Sequence, residues 1–161
     1  MSSQNKNLSE FSTENLPDIS WKNFIVLVAE WNLEITESLA DGAIKTLLKF
    51  GAKESHIKKV YVPGSFELSY GSQIFAQKEN VDAIIALGCV IQGETKHNDY
   101  INHAVANGLT EVSLKYNKPV IFGVLTPNNL QQAIDRAGGV LGNKGDEAAI
   151  TAIKMIGLRD N

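Results

Sequence analysis

The chain has 161 residues, 43% of them hydrophobic, enough for one domain with a core of its own. Against 18 Asp and Glu there are 15 Lys and Arg, so the formal net charge is −3, and the basic stripe of a nucleic-acid binder is missing. No apolar run nears the roughly 18 residues that span a bilayer, and the polar N-terminus does not read as a signal peptide. The single cysteine, Cys89, excludes an internal disulfide and fits a reducing compartment. A soluble cytoplasmic protein is expected, with no membrane and no nucleic acid among its partners.

Residues 1 to about 20 are rich in Ser, Asn and Glu and are expected to form a flexible arm, leaving 21–161 as a single domain. The first strand is expected at FIVLVA (Phe24 to Ala29), a continuous run of the kind buried on both faces of a sheet. Ile35, Leu39, Ala43, Ile44, Leu47 and Leu48 then recur at helical spacing, and Gly51 is the expected stop. IKKVYV (Ile57 to Val62) predicts the second strand, ended by Pro63-Gly64, and Phe66 to Gln77 the second helix. DAIIALG (Asp82 to Gly88) predicts the third strand, and a long loop leads into a helix from about His97 to Tyr116.

PVIFGVL (Pro119 to Leu125) predicts the fourth strand. Asn128 or Asn129 caps the next helix, expected to reach Gly138-Gly139. The last helix is expected from about Asn143 to Ile156, with Ala148, Ala149, Ala152, Ile153 and Ile156 on its apolar face. Strand and helix alternating four times predict a parallel sheet with right-handed crossovers. The fold class is α/β: a three-layer αβα sandwich on a four-stranded parallel sheet, flavodoxin-like in topology. So small a sheet has outer strands that need cover, from the arm or from a neighbouring subunit.

Ligands of open parallel sheets bind beyond the carboxyl ends of the strands. That selects Glu30-Trp31-Asn32, Pro63 to Glu67, Gly88 to His97, and Thr126-Pro127-Asn128. GCVIQGETKH (Gly88 to His97) puts a glycine turn before a helix start, an arrangement suited to phosphate, although most such turns hold only water. Glu94 there would offer its backbone N–H and turn its carboxylate away. A histidine at this place suits proton transfer, but by spacing alone His97 reads as an ordinary surface histidine. His56 and His103 do not pair with His97 or Cys89 at metal-site spacing, so no metal is expected. Trp31 is either a stacking platform for a flat heterocycle or a core aromatic at the sheet edge. Taken singly, Glu67 reads as a helix N-terminal charge, Phe122 as core, and Arg136 and Lys144 as solvated helix charges.

In combination the segments resemble the lumazine synthase family. The match is carried by VPGSFEL (Val62 to Leu68), GCVIQGETKHNDYI (Gly88 to Ile101), PVIFGVLT (Pro119 to Thr126), QAIDRAG (Gln132 to Gly138) and GNKGDEAA (Gly142 to Ala149). The resemblance implies condensation of 5-amino-6-(D-ribitylamino)uracil with 3,4-dihydroxy-2-butanone 4-phosphate to 6,7-dimethyl-8-ribityllumazine, in riboflavin biosynthesis. It implies Trp31, Ser65, Phe66, Glu67, Cys89, Val90, Ile91, Phe122 and Lys144 for the pyrimidine substrate. For the butanone phosphate it implies Glu94, Thr95 and Arg136, with His97 as general acid/base and no metal or organic cofactor.

Phe122, Arg136 and Lys144 match residues that the family supplies from the adjacent subunit, so a homo-oligomer with interfacial sites is implied. Pentamers, decamers and sixty-subunit capsids occur in the family, and riboflavin synthase is an implied partner. The short AGGVLG between Arg136 and Asn143 favours the capsid. Gln92, Asn98 and Trp31 depart from the commoner residues at their places and bear on substrate fit. Two rivals remain: a non-catalytic flavin or lumazine carrier, which shares the aromatic platform but would not need His97 with Arg136, and a flavodoxin-like electron carrier.

Overall fold

A computed structural model describes residues 7–160. Four parallel strands, β1 (Phe24–Ala29), β2 (Ile57–Val62), β3 (Ala83–Cys89) and β4 (Val120–Leu125), form one sheet in the order β2-β1-β3-β4. The chain therefore starts in an inner strand, steps out to β2 and returns across it to β3. β1 and β3 are buried at every residue, as their unbroken apolar runs predict.

Alternate side chains of β1 feed two cores. Phe24, Val26 and Val28 pack with α1 (Leu33–Lys49) and α5 (Lys144–Asp160). Ile25 and Leu27 pack with α2 (Leu68–Ala76) and α3 (His97–Tyr116) on the other face. The three layers and the flavodoxin-like strand order are those the sequence predicts. α1 and α5 approach so closely that a Cβ on Gly145 would collide with the Leu39 carbonyl, and one on Gly42 with the Asn143 side chain. Ala148, Ala149, Ala152, Ile153 and Ile156 are all buried, so the last helix presents the expected face to the core.

Three boundaries differ from expectation. The second helix is preceded by a single 3-10 turn, Ser65–Glu67, entered from an extended Gly64. The fourth helix, α4 (Leu130–Arg136), is capped as expected, the Asn129 side chain accepting from the Gln132 N–H at 3.0 Å. It stops short of the glycines, however. Ala137–Gly139 (β5) turns back and pairs antiparallel with Gly142–Asn143 (β6). Gly138 and Gly142 have φ of 103° and 80°, a left-handed backbone that breaks the helix and makes this hairpin. α5 begins at Lys144, where Asn143 accepts from the Gly145 N–H at 2.7 Å, and continues past Ile156 to Asp160.

Of the expected arm, residues 1–6 lie outside the described residues. Residues 7–20 form no strand and pair with neither sheet edge; they run against α1 and α5. Phe11 meets Phe50 edge-on at 6.3 Å, Leu16 packs on the core, and Ile19 is fully buried in it. Packing thus begins before residue 21. At the sheet end remote from the strand carboxyl termini, buried Lys22 pairs with Asp160 at 2.5 Å, and Arg159 with Asp82 at 3.0 Å. These pairs fasten the end of α5 beneath β1 and β3.

Candidate active site

All four strands run the same way, so their carboxyl ends share one rim. The chain's outward step from β1 and return to β3 leaves a crevice there, where doubly wound sheets hold ligands. A cleft of about 580 Å³ occupies this place, lined by Trp31 and Asn32 after β1, Pro63 to Glu67 after β2, and Cys89 to Ile91 after β3. Gly93, Thr95, His97, Asn98 and Ile101 close its far side.

Backbone pairing continues past the strand ends and fixes this rim. The Glu30 and Trp31 N–H groups donate to the Val62 and Pro63 carbonyls at 2.8 and 3.2 Å. Val90 and Gln92 donate to Leu125 and Pro127 at 2.8 and 2.9 Å. Trp31 is 73% exposed, so of its two sequence-based alternatives the core aromatic is excluded. Sequence places Asn32 only as part of a loop. It adopts a left-handed backbone (φ 60°), and its side-chain amide donates to the Cys89 carbonyl at 2.9 Å, spanning the crevice. Thr36 donates to the Ala29 carbonyl at 2.7 Å and holds the same β1–α1 turn from within.

Ser65 is buried, and its hydroxyl has no hydrogen-bond partner among the described residues. It lies so near β3 that a Cβ on Gly88 would come within 2.5 Å of it. An orphan hydroxyl at a cleft wall is costly unless a ligand or water satisfies it. Phe66 is exposed beside it, and Glu67, at the start of α2, also lines the cleft. His97 is the first residue of α3, exposed on the rim, with its N–H directed to the Thr95 hydroxyl at 3.4 Å.

Cys89 contributes to the cleft only through its backbone. Its side chain enters the α1/α5 core, and burial pushes the thiol pKa up to about 11. At pH 8 the native thiol is expected to react with a small disulfide reagent at least about 10²-fold slower than in the unfolded chain. Equal rates before and after unfolding would show that the end of β3 opens freely.

Four predicted site residues stand apart from the cleft. Glu94 is exposed in the turn but does not line the cavity. Phe122 projects 36% exposed from the edge strand β4, so it is not the core residue its apolar run suggests. Arg136 closes α4 with its guanidinium donating to the Gln132 carbonyl at 3.0 Å. Lys144 opens α5, paired with Glu147 at 2.7 Å. Among the described residues no three His, Cys, Asp or Glu side chains are grouped to hold a metal, and no helix is long and apolar enough to cross a membrane.

Sandwich and cleft together define a doubly wound α/β protein with a preformed cleft at its topological switch point. The profile of the family described as 6,7-dimethyl-8-ribityllumazine synthase matches residues 22–160. A protein of that name from Cytophaga hutchinsonii is 61% identical, the match covering 97% of this chain and 98% of the relative. Its counterpart from Parabacteroides distasonis is 51% identical over 97% and 98% of the two chains, and that from Flavobacterium johnsoniae 50% identical over 99% and 84%. The chain belongs to the 6,7-dimethyl-8-ribityllumazine synthase family, transferases of riboflavin biosynthesis.

Proposed function

We infer that the cleft condenses 5-amino-6-(D-ribitylamino)uracil with 3,4-dihydroxy-2-butanone 4-phosphate, giving 6,7-dimethyl-8-ribityllumazine, phosphate and water. One observation carries the assignment of roles: Trp31, the Cys89–Ile91 backbone, the orphan Ser65 hydroxyl and His97 converge on a single cleft. The exposed indole suits a flat pyrimidine, and the Cys89–Ile91 backbone lining the cleft suits its amide-like edge. The unpaired Ser65 hydroxyl, with Phe66 and Glu67 beside it, suits a polyol chain.

The 5-amino group attacks the ketone, and the resulting carbinolamine loses water to form an imine. Proton removal beside the imine expels phosphate, and the ribitylamino nitrogen closes the ring with loss of a second water. Both substrates are reactive, so most of the acceleration comes from holding them together. His97 stands where protons must move to and from the amine and the departing oxygen. Thr95 and the turn before α3 face the phosphate, together with Arg136.

Arg136, Phe122 and Lys144 act, in this reading, from the next subunit of a ring. Support comes from the single chain itself. Its cleft lies over β2, β1 and β3, whereas Phe122 is left exposed on the opposite edge strand and Arg136 stands outside the cleft. A ring brings that edge to the neighbour's crevice and covers it. We place the assembly among pentamer-based forms, with the sixty-subunit capsid favoured by the short β5–β6 hairpin and light scattering as the measurement that decides. Its setting is the cytoplasm, and riboflavin synthase is the partner that takes the product.

The test is an assay with both substrates, following lumazine fluorescence. His97→Ala is expected to retain substrate binding and lose up to about 10²-fold in kcat, since positioning remains. An unchanged rate across the pH range would remove His97 from the mechanism. Tight flavin binding without product formation would favour a carrier instead.

A further inference from the structure

The hairpin that separates Arg136 from Lys144 is held from two sides. From within, Ser38 of α1 donates to the Ala137 carbonyl at 2.5 Å, and the Asn143 side chain donates to the Ser38 carbonyl at 2.9 Å. From outside, the N-terminal segment crosses it. The Leu8 N–H donates to the Leu141 carbonyl at 2.7 Å. The Ser9 hydroxyl accepts from the Asn143 N–H at 3.0 Å and donates to the Asp146 carboxylate at 2.6 Å, and Thr46 reaches the other oxygen of that carboxylate at 3.2 Å.

Gly142 shows how closely the segment is seated. Any Cβ at that position would collide with the Asn7 side chain and the backbone of Leu8 and Ser9. The hairpin also needs outside support. It has only two residue pairs, two glycines at positive φ that serve as pivots, and on one side a helix of only seven residues. So short a helix has little stability of its own. Arg136 is the last residue of that helix and Lys144 the first after the hairpin, so the pivots lie between the two cations.

We propose that Leu8 and Ser9 form a strap that positions Arg136 for the phosphate-bearing substrate, by fixing the hairpin that follows it. This rests on the reading of Arg136 as the phosphate ligand. Leu8 and Ser9 touch no substrate; they are positioning residues acting through Asn143 and Asp146.

The full-length double variant Leu8→Pro/Ser9→Ala removes the Leu8 donor and the Ser9 hydroxyl together. Its KM for the four-carbon phosphate should rise about 3- to 10-fold, the loss typical of a few hydrogen bonds acting at a distance. The KM for the pyrimidine should rise less, through Lys144 alone, and kcat and the mass of the assembly should stay as in the unmodified protein. Ser9→Thr keeps the hydroxyl and should keep the phosphate KM. An unchanged phosphate KM in the double variant overturns the proposal, as does an equal rise in both KM values or a fall in assembly mass. Arg136→Ala measured alongside separates the two levels. If it weakens the phosphate substrate and the strap variant does not, only the strap is refuted; if neither does, the reading of Arg136 fails too.

Discussion

Arg136→Ala is expected to lower kcat/KM for the butanone phosphate by about 10²- to 10³-fold, with pyrimidine binding nearly unchanged. A guanidinium gripping a phosphate makes paired, charge-assisted hydrogen bonds, each worth about 1.5–3 kcal/mol. Two such bonds lost from the transition state would cost about 10²- to 10⁴-fold at roughly 1.4 kcal/mol per decade, and the expected range takes the lower half of that span. The side chain is free to grip an anion, because it donates to the neutral Gln132 carbonyl and no carboxylate neutralises it among the described residues. Arg136→Lys should recover only part of the loss, because an ammonium carries the charge without the two-pronged geometry. Steady-state kinetics with each substrate varied in turn make the measurement. Equal weakening of both substrates would make Arg136 a structural residue.

The parts of the fold legible in sequence are those whose pattern follows from burial. FIVLVA and AIIALGC are unbroken apolar runs because helices cover both faces of β1 and β3. The small residues of α5 keep helical spacing because α1 lies against them at backbone distance. The same logic misleads at β4. Within PVIFGVL, Phe122 reads as core, yet β4 is an edge and Phe122 is exposed on it. An apolar run does not by itself tell an inner strand from an edge.

The hairpin is illegible for a different reason. Two residue pairs with a shift between them leave no periodicity to find, and Ala-Gly-Gly-Val-Leu-Gly reads as a turn of any kind. Asn32 and Ile19 escape a sequence reading because their partners are remote along the chain. The Asn32 amide meets a carbonyl 57 residues away, and Ile19 sits in a polar stretch whose burial depends on α1 and α5 already being packed. Within the site, loop positions are predictable from strand ends. Which side chains share a single-chain cleft, and which stand outside it, is not.

That separation gives the most demanding test of the shared site. Two variants are needed: Trp31→Ala/His97→Ala, which damages the cleft, and Arg136→Ala, which damages what the neighbour would supply. Each alone should assemble with only defective sites and very low activity. Unfolded together, mixed equally and reassembled, they should regain about a quarter of the activity of the unmodified protein. In a cyclic ring every site joins the cleft of one subunit to the Arg136 side of the next. An intact site needs an Arg136→Ala subunit giving the cleft and a Trp31→Ala/His97→Ala subunit giving the arginine. With random placement those choices are independent, so about one half multiplied by one half of the sites are whole. Mass spectrometry of the reassembled rings verifies mixing, and lumazine fluorescence reads the recovery. Mixed rings that stay inactive would place Arg136 and His97 in service of the same chain's site. The exposed Phe122 edge would then be an assembly surface without a catalytic part.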